Sequence, residues 1–129
     1  TYSGHAAAAA VALANLDILE DEGLIGHVRA NEDRFRSTLE TLRDLPIVGD
    51  VRGIGLFWAI ELVRDKATKE PLAPYGASSP EMAQITRALT AAGLLTLPIG
   101  NRIHLSPPLP VTPTQTAQAL HTLTMVLAP

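Results

Sequence analysis

The side chains that could do chemistry are few and scattered along this 129-residue chain. The four histidines stand at positions 5, 27, 104 and 121, and no pair of them has a short spacing that suits a metal ion. There is no cysteine, so neither a disulfide nor a thiolate metal site can form. The serines lack the glycine context of a nucleophile elbow, and Ser79 is better explained as a helix cap. The residues therefore predict no metal site and no nucleophilic triad.

An amine nucleophile would have to be one of the two lysines, Lys66 and Lys69. Such a lysine must be desolvated, so that its neutral form exists near neutral pH. Both lysines stand in a charged loop, residues 64–70, which we expect to be hydrated. We therefore expect neither lysine to act as a catalytic nucleophile.

One short segment does bring polar groups together. Arg102, His104 and Ser106 alternate along a predicted strand, so their side chains should lie on the same face. The residues between them, Ile103 and Leu105, are expected in the core. The polar row is either the solvated side of a sheet or the wall of a cleft against another domain, and the spacing does not decide between the two.

A glycine-rich segment at residues 49–55 lacks the G-x-G-x-x-G spacing and leads into a strand, so it does not predict a phosphate-binding loop. We interpret it as a kink or bulge between two extended halves, residues 47–52 and 56–63. The second half is apolar on both faces except at Glu61, which predicts a central strand.

Apolar residues at helical spacing predict two helices at the start of the chain, over residues 4–22 and 24–44. Gly23 separates them, and Pro46 ends the second. We expect the first helix to bury a stripe formed by Ala9, Ala12, Leu13, Leu16 and Leu19.

Two further helices begin with recognisable caps. Ser79 followed by Pro80 predicts a helix that Gly93 ends. The segment from Thr112 to Gln115 fits a capping box at the start of the closing helix.

Residues 94–97 and 102–106 are predicted to be short strands around a turn at residues 98–101. The element order is then α-α-β-β-α-β-β-α. It predicts a single α+β domain over residues 1–129, a two-layer sandwich of mainly antiparallel sheet with flanking helices.

Composition excludes several classes of partner. The 10 basic and 13 acidic side chains are dispersed, so no basic patch favours nucleic acid. Polar residues interrupt the longest apolar runs, which argues against a membrane span. No signal peptide is recognisable, which fits a cytoplasmic protein, and the chain begins at Thr1 without an initiator Met, so we expect residues to precede it.

Three stretches, in this order, resemble the class III aminotransferases, the ornithine or omega-type enzymes that depend on pyridoxal phosphate (PLP). The first is Thr-Tyr-Ser-Gly-His at residues 1–5, followed by an alanine-rich helix that ends in Leu-Asp-Ile-Leu-Glu-Asp-Glu-Gly-Leu at 16–24. The second is Val-Gly-Asp-Val-Arg-Gly-Ile-Gly-Leu at 48–56, leading into Ile-Glu-Leu at 60–62. The third is Ala-Gly-Leu-Leu at 92–95, then Leu-Ser-Pro-Pro-Leu at 105–109. The resemblance covers essentially the whole chain.

The resemblance implies the C-terminal small domain of a fold-type I enzyme, whose large domain holds PLP and the Schiff-base lysine. It implies a homodimer that transfers an amino group between an amine or amino acid and a 2-oxo acid. Since the family's lysine lies upstream of the motif at residues 1–5, we expect this fragment alone to be inactive and to bind no PLP.

The resemblance also assigns roles to single residues. Thr1 stands where the family's threonine donates a hydrogen bond to the cofactor phosphate across the dimer. His104 stands where ornithine-type members carry an arginine that grips a substrate carboxylate, and Leu97 stands where omega-type members often carry a mobile arginine. Arg102 is nearby but offset. His104 and Arg102 are thus the candidate substrate-binding residues, and these departures favour an amine donor without an α-carboxylate.

Two alternatives stay open. A PLP decarboxylase or aminomutase of the same family would share this domain. A free-standing α+β ligand-binding module without a cofactor is the alternative from another class.

Overall fold

The computed structural model describes residues 3–128. Within them lie four α-helices, a 3-10 turn that prolongs the second helix, and five β-strands. The helices are α1 (Ala6–Asp21), α2 (Leu24–Glu40), α3 (Pro80–Ala91) and α4 (Pro113–Leu127), and the 3-10 turn is Thr41–Asp44. The strands are β1 (Val48–Ile54), β2 (Phe57–Asp65), β3 (Glu70–Pro71), β4 (Leu97–Ile99) and β5 (Arg102–Leu105).

The strands form a sheet in the order β1-β2-β5-β4, with β3 paired to β2. Every pairing is antiparallel. The predicted α+β fold with a mainly antiparallel sheet is therefore confirmed, and so is the central position of the second strand.

Alternation along the strands divides the sheet into a core face and an open face. Val51, Trp58, Ile60 and Ile103 are buried on the core face, together with side chains of α2, α3 and α4. The helical contribution comes from Phe35, Leu39, Met82, Leu89, Leu120, Leu123 and Leu127. The open face carries the alternate residues, which include Arg52, Ala59 and His104.

Both predicted helix caps are present. The Ser79 hydroxyl accepts a hydrogen bond from the Met82 amide at 3.2 Å, with Pro80 in the first turn. At α4 the Thr112 hydroxyl accepts from the Gln115 amide at 3.2 Å, and the Gln115 side chain accepts from the Thr112 amide at 2.9 Å. This reciprocal pair is the capping box that the sequence predicts.

The prediction of a glycine-marked kink at residues 53–55 is wrong, because this segment forms the turn of a β-hairpin. Ile54 pairs with Phe57, so only Gly55 and Leu56 lie in the loop. Gly55 has φ +57°, a backbone conformation that residues with a side chain rarely adopt, so glycine suits this tight turn. A bulge is present, but it falls at the opposite end of β1, where the register shifts between Val48 and Asp50.

The fourth strand begins later than predicted. The Leu94 amide donates to the Leu89 carbonyl at 2.9 Å, and Gly93 has φ +83°, so residue 94 completes the end of α3 instead of starting a strand. The strand is Leu97–Ile99, and the turn narrows to Gly100 and Asn101.

The buried stripe predicted for α1 is also wrong. None of its residues is buried, and Val11, Leu13 and Leu16 are 70%, 63% and 55% exposed. Periodicity shows that a helix is apolar, but burial requires a surface to pack against, and residues 3–128 supply too little of one to bury any side chain of this helix.

No helix within residues 3–128 is both long enough and apolar enough to cross a membrane.

Candidate functional site

A groove of about 690 Å³ lies beside the β4 edge of the sheet. Its walls are the segment 94–97, the residues that follow β5, and one face of α4. The wall is mostly apolar, and no Asp, Glu, Lys or Arg lines it. The lining residues are Phe35, Phe57, Leu94, Leu95, Thr96, Leu97, Ile99, His104, Leu105, Ser106, Pro107, Pro108, Val111, Thr116, Ala119, Leu120 and Leu123. This size and lining are typical of a small-molecule site.

His104 lies on the open face of β5 and contributes to the groove wall. Its register partners are Leu97 on β4 and Ala59 on β2. Its ring is nearly parallel to that of Phe57, with centroids 6.1 Å apart and planes 16° apart, which is an offset stack. His104 and Ser106 of the polar row thus both line the groove, and whether another domain faces this row stays a prediction.

Arg102 lies on the same strand face but lines a different concavity. That cleft, of about 350 Å³, is formed by Glu61, Tyr75, Gly76, Ile99, Gly100, Asn101 and Arg102. Arg102 makes no ion pair within the described part of the chain. The two candidate substrate-binding residues thus share a strand without sharing a cleft.

A ladder of ion pairs crosses the open face and ends at Glu61, which lines the second cleft. Arg43 contacts Asp50 at 2.7 Å, Asp50 contacts Arg52 at 2.6 Å, and Arg52 contacts Glu61 at 2.8 Å. Burial of the Asp50 carboxyl raises its pKa, but hydrogen bonds from Arg52 and Arg43 outweigh burial, so the pKa of Asp50 lies below its ordinary value. All these charges are paired, so the ladder joins β1 to β2 and to Arg43.

Sequence reasoning missed this ladder and the aromatic ring of Phe57. A signal was present, since alternation along β2 puts Phe57 opposite the buried Trp58 and on the same face as Glu61. The assumption of a kink obscured it, because the pairing of Asp50 and Arg52 with β2 follows only from the hairpin register.

Neither lysine is in a place where it could form a Schiff base. Lys66 donates from Nζ to the Arg43 carbonyl at 2.5 Å on an exposed surface, and Lys69 is exposed in the turn before β3. Desolvation, which a reactive amine needs, is absent at both.

Histidine ligation of a metal finds no support in the described residues, where no group of three or more potential ligands occurs. His27 instead forms a hydrogen bond from Nε2 to the Val111 carbonyl, 2.9 Å away. Since the carbonyl can only accept, Nε2 carries the proton. This contact fixes the turn after β5 to α2.

These features define an α+β domain with a helical layer on one face of an antiparallel sheet and an apolar groove at its edge. The family model described as Aminotransferase class-III matches residues 1–127. The chain belongs to the class III aminotransferase family.

Individual relatives agree with this assignment. A probable aminotransferase of Mycobacterium tuberculosis is 52% identical over 94 residues, which is 73% of this chain and 20% of the relative. An adenosylmethionine-8-amino-7-oxononanoate aminotransferase of Nitratidesulfovibrio vulgaris is 37% identical over 123 residues, 95% of this chain and 22% of the relative. The solved structure of a taurine:2-oxoglutarate aminotransferase from Bifidobacterium kashiwanohense, in complex with PLP and glutamate, superposes with a TM-score of 0.90 at 34% identity, covering 98% of this chain and 29% of that one.

The chain therefore spans between a fifth and a third of the length of these relatives. The described residues do not fit PLP as a complete binding site, because they offer no buried lysine. Thr1, which the resemblance assigns to the cofactor phosphate, lies outside the described residues.

Proposed function

We propose that this chain is the C-terminal small domain of a larger, fold-type I aminotransferase that transfers an amino group between an amine or amino acid and a 2-oxo acid. The observation that carries the proposal is the family match over residues 1–127, combined with the small share of each relative that the chain covers. The cofactor of the whole enzyme is PLP, as in the Bifidobacterium complex.

The exposed helix α1 supports a larger polypeptide. A helix with many exposed apolar side chains is more stable in water when other protein covers them. Val11, Leu13 and Leu16 are more than half exposed within residues 3–128. In our proposal the large domain that precedes residue 1 covers this helix and carries the Schiff-base lysine.

Two further parts of the proposal rest on the resemblance. Thr1 donates a hydrogen bond to the cofactor phosphate of the partner subunit, so that the functional enzyme is a homodimer. The location of the enzyme is cytoplasmic. Two experiments test these points. Thr1→Ala in the longer polypeptide should lower its affinity for PLP, and fractionation of cells that produce the polypeptide should recover it in the cytoplasm.

His104 bears on the choice of substrate. A neutral imidazole cannot make the bidentate, permanently charged contact that guanidinium offers a carboxylate. No arginine or lysine lines the groove. The groove therefore favours an amine donor without an α-carboxylate, or the 2-oxo acid is held by an arginine of the large domain.

The test uses the longer polypeptide loaded with PLP. It should convert pyruvate or 2-oxoglutarate to the amino acid in the presence of an amine donor, measured by the amino acid formed. The 129-residue chain alone should show no activity and no saturable aldimine absorbance that survives dialysis. Loss of carbon dioxide without amino transfer in the longer polypeptide would instead identify a decarboxylase.

Arginine at the groove provides a sharper test. His104→Arg should raise kcat/KM for 2-oxoglutarate relative to pyruvate by about tenfold or more, since a charge-assisted pair contributes about 1.5–3 kcal/mol. His104→Gln, which adds no charge, is the matched control and should leave the ratio unchanged. An unchanged ratio in a folded His104→Arg enzyme would show that residue 104 does not face the acceptor.

A further inference from the structure

The part of the groove wall that follows β5 has few hydrogen bonds of its own. Residues 106–111 read Ser-Pro-Pro-Leu-Pro-Val, and a proline has no amide proton to donate. Pro107, Pro108 and Val111 line the groove. The Val111 amide donates to the Pro108 carbonyl at 3.0 Å, which closes a turn within the segment. Since residues 106–111 belong to no helix or strand, their position depends on contacts with the rest of the chain.

A side chain of α2 supplies a hydrogen bond to this segment. His27 donates from Nε2 to the Val111 carbonyl at 2.9 Å, although the two residues are 84 positions apart in sequence. Within residues 3–128 no other hydrogen bond joins residues 106–111 to a different helix or strand. The pair is partly buried, so removal of the donor would leave the carbonyl short of a partner where water has limited access.

The surroundings of His27 on α2 connect it to the groove. His27, Asn31 and Phe35 follow one another at intervals of four residues, so they share one face of the helix. Asn31 donates from Nδ2 to the His27 carbonyl at 2.8 Å. The same Nδ2 lies 3.4 Å from His27 Nε2, but both nitrogens carry protons, so this approach is a contact and not a hydrogen bond. Phe35 is buried and lines the groove, so one face of α2 contacts it at two places.

We propose that His27 is a positioning residue for substrate binding, because its Nε2–H holds residues 106–111 against α2 and thereby fixes one wall of the groove. His27 is not itself a lining residue, so it acts through Val111. The inference rests on the proposed function, since it takes the groove beside His104 as the place where the substrates bind. Loss of the hydrogen bond loosens a binding wall and leaves the reacting atoms untouched, so it should raise KM more than it lowers kcat.

The hydrogen bond itself is tested in the 129-residue chain by NMR, through the exchange rate of the Val111 amide. His27→Leu keeps most of the side-chain volume but removes the donor, and should speed this exchange by about two- to tenfold, the range expected for one neutral hydrogen bond. His27→Gln has an amide nitrogen that can replace Nε2, and should restore most of the protection. His121→Leu is the matched control, because His121 is an exposed histidine on α4, and it should change nothing at Val111.

The effect on substrate binding is measured in the longer polypeptide loaded with PLP, with hexylamine as donor and pyruvate as acceptor. His27→Leu should raise KM for hexylamine by about two- to tenfold with little change in kcat, since the alkyl chain lies against the wall that has loosened. Pyruvate carries only a methyl group, so its KM should change less. His27→Gln should return KM for hexylamine towards the wild-type value, and His121→Leu should leave it unchanged.

An unchanged KM for hexylamine in a folded His27→Leu enzyme would overturn the proposal, even if the Val111 amide exchanged faster. So would an equal rise of KM in His27→Leu and His27→Gln, because the hydrogen bond would then not be the cause. A wild-type longer polypeptide without aminotransferase activity would refute the proposed function but would leave the exchange result in the 129-residue chain unchanged, so the two failures are distinguishable.

Discussion

Glu81 illustrates how much one side chain at a helix start can contribute. It lies in the first turn of α3, where a negative charge is favourable, and its Oε1 contacts Arg64 at 2.8 Å. The hydrogen bond from Arg64 is the main reason why the pKa of Glu81 falls from 4.5 to about 2. A carboxyl with a depressed pKa stabilises the folded state when ionised.

The pH dependence of this contribution follows from its sign. The stabilisation by Glu81 should be complete above pH 4.5 and should be lost as the pH falls towards about 2. Glu81→Gln should therefore be less stable than wild type at pH 7 and equal to it near pH 2, measured by urea unfolding across this range. Glu70→Gln is the control, because Glu70 is a looser and more exposed partner of Arg64 at 3.7 Å. A constant difference between wild type and Glu81→Gln at every pH would contradict the assignment.

Gly53 is a residue at which the hairpin tolerates no side chain. A Cβ there would lie 2.3 Å from the Phe57 carbonyl oxygen and 2.5 Å from the Trp58 ring. Gly53→Ala should lower the free energy of unfolding by about 1–3 kcal/mol or more, because backbone and a buried ring must both move. The free energy is measured by denaturant titration.

The matched control for Gly53→Ala is Gly26→Ala. Gly26 lies within α2 with no atom within 4 Å of its added Cβ. Alanine there should stabilise the chain by about 0.5–1 kcal/mol, since it removes the entropy cost of a helical glycine. Equal effects of the two substitutions would show that the hairpin is not packed as described.

At the scale of elements, local signals were predicted well and turns between strands less well. The start of α4 was predicted from Thr112, Pro113 and Gln115, because these residue types are favoured at their positions in a helix N-terminus. The hairpin turn at Gly55 was missed because a run with three nearby glycines fits a bulge and a turn equally well, and only the pairing of Ile54 with Phe57 distinguishes them. The start of β4 was missed because the Leu94 amide completes the C-terminus of α3 across Gly93, a local cap that keeps residue 94 out of the strand.

The capping box provides the element-scale prediction. Thr112→Ala removes both the hydroxyl that accepts from the Gln115 amide and its contact with the Gln115 side chain. It should cost about 1 kcal/mol of unfolding free energy, whereas Thr112→Ser should cost much less. Denaturant titration measures both, and equal losses in the two variants would mean that the hydroxyl does not cap α4.

At the scale of the whole molecule, residues 24–128 form a core and α1 lies outside it. Periodicity identified the helix correctly but could not show whether it is buried, since burial depends on packing partners that the local sequence does not specify. The same holds for the groove: alternation put His104 on the open face of β5, yet the stack with Phe57 depends on how two hairpins meet. The sequence thus predicted the fold class and the strand that bears His104, but it did not predict that Phe57 would lie against His104 in the groove.

The contrast between α1 and the core is testable in the 129-residue chain. Leu16→Lys should change the free energy of unfolding by less than about 0.5 kcal/mol and should improve solubility, since Leu16 is 55% exposed. Leu39→Ala should cost about 2–5 kcal/mol, because Leu39 is 0% exposed within the core. A large loss of stability in Leu16→Lys, by denaturant titration, would mean that α1 is packed after all.

The sheet order has a consequence for how fast the chain folds. The two hairpins, β1–β2 and β4–β5, close through two-residue loops and should form within microseconds. The seam between β2 and β5 instead joins residues 58–61 to residues 102–105, with all of α3 in between. Closing that long loop carries an entropy cost before the seam contributes any stability. We expect the encounter of the two hairpins to limit the folding rate, so that changes that destabilise either hairpin tip, and truncation of Ile60 or Ile103 at the seam, should slow folding.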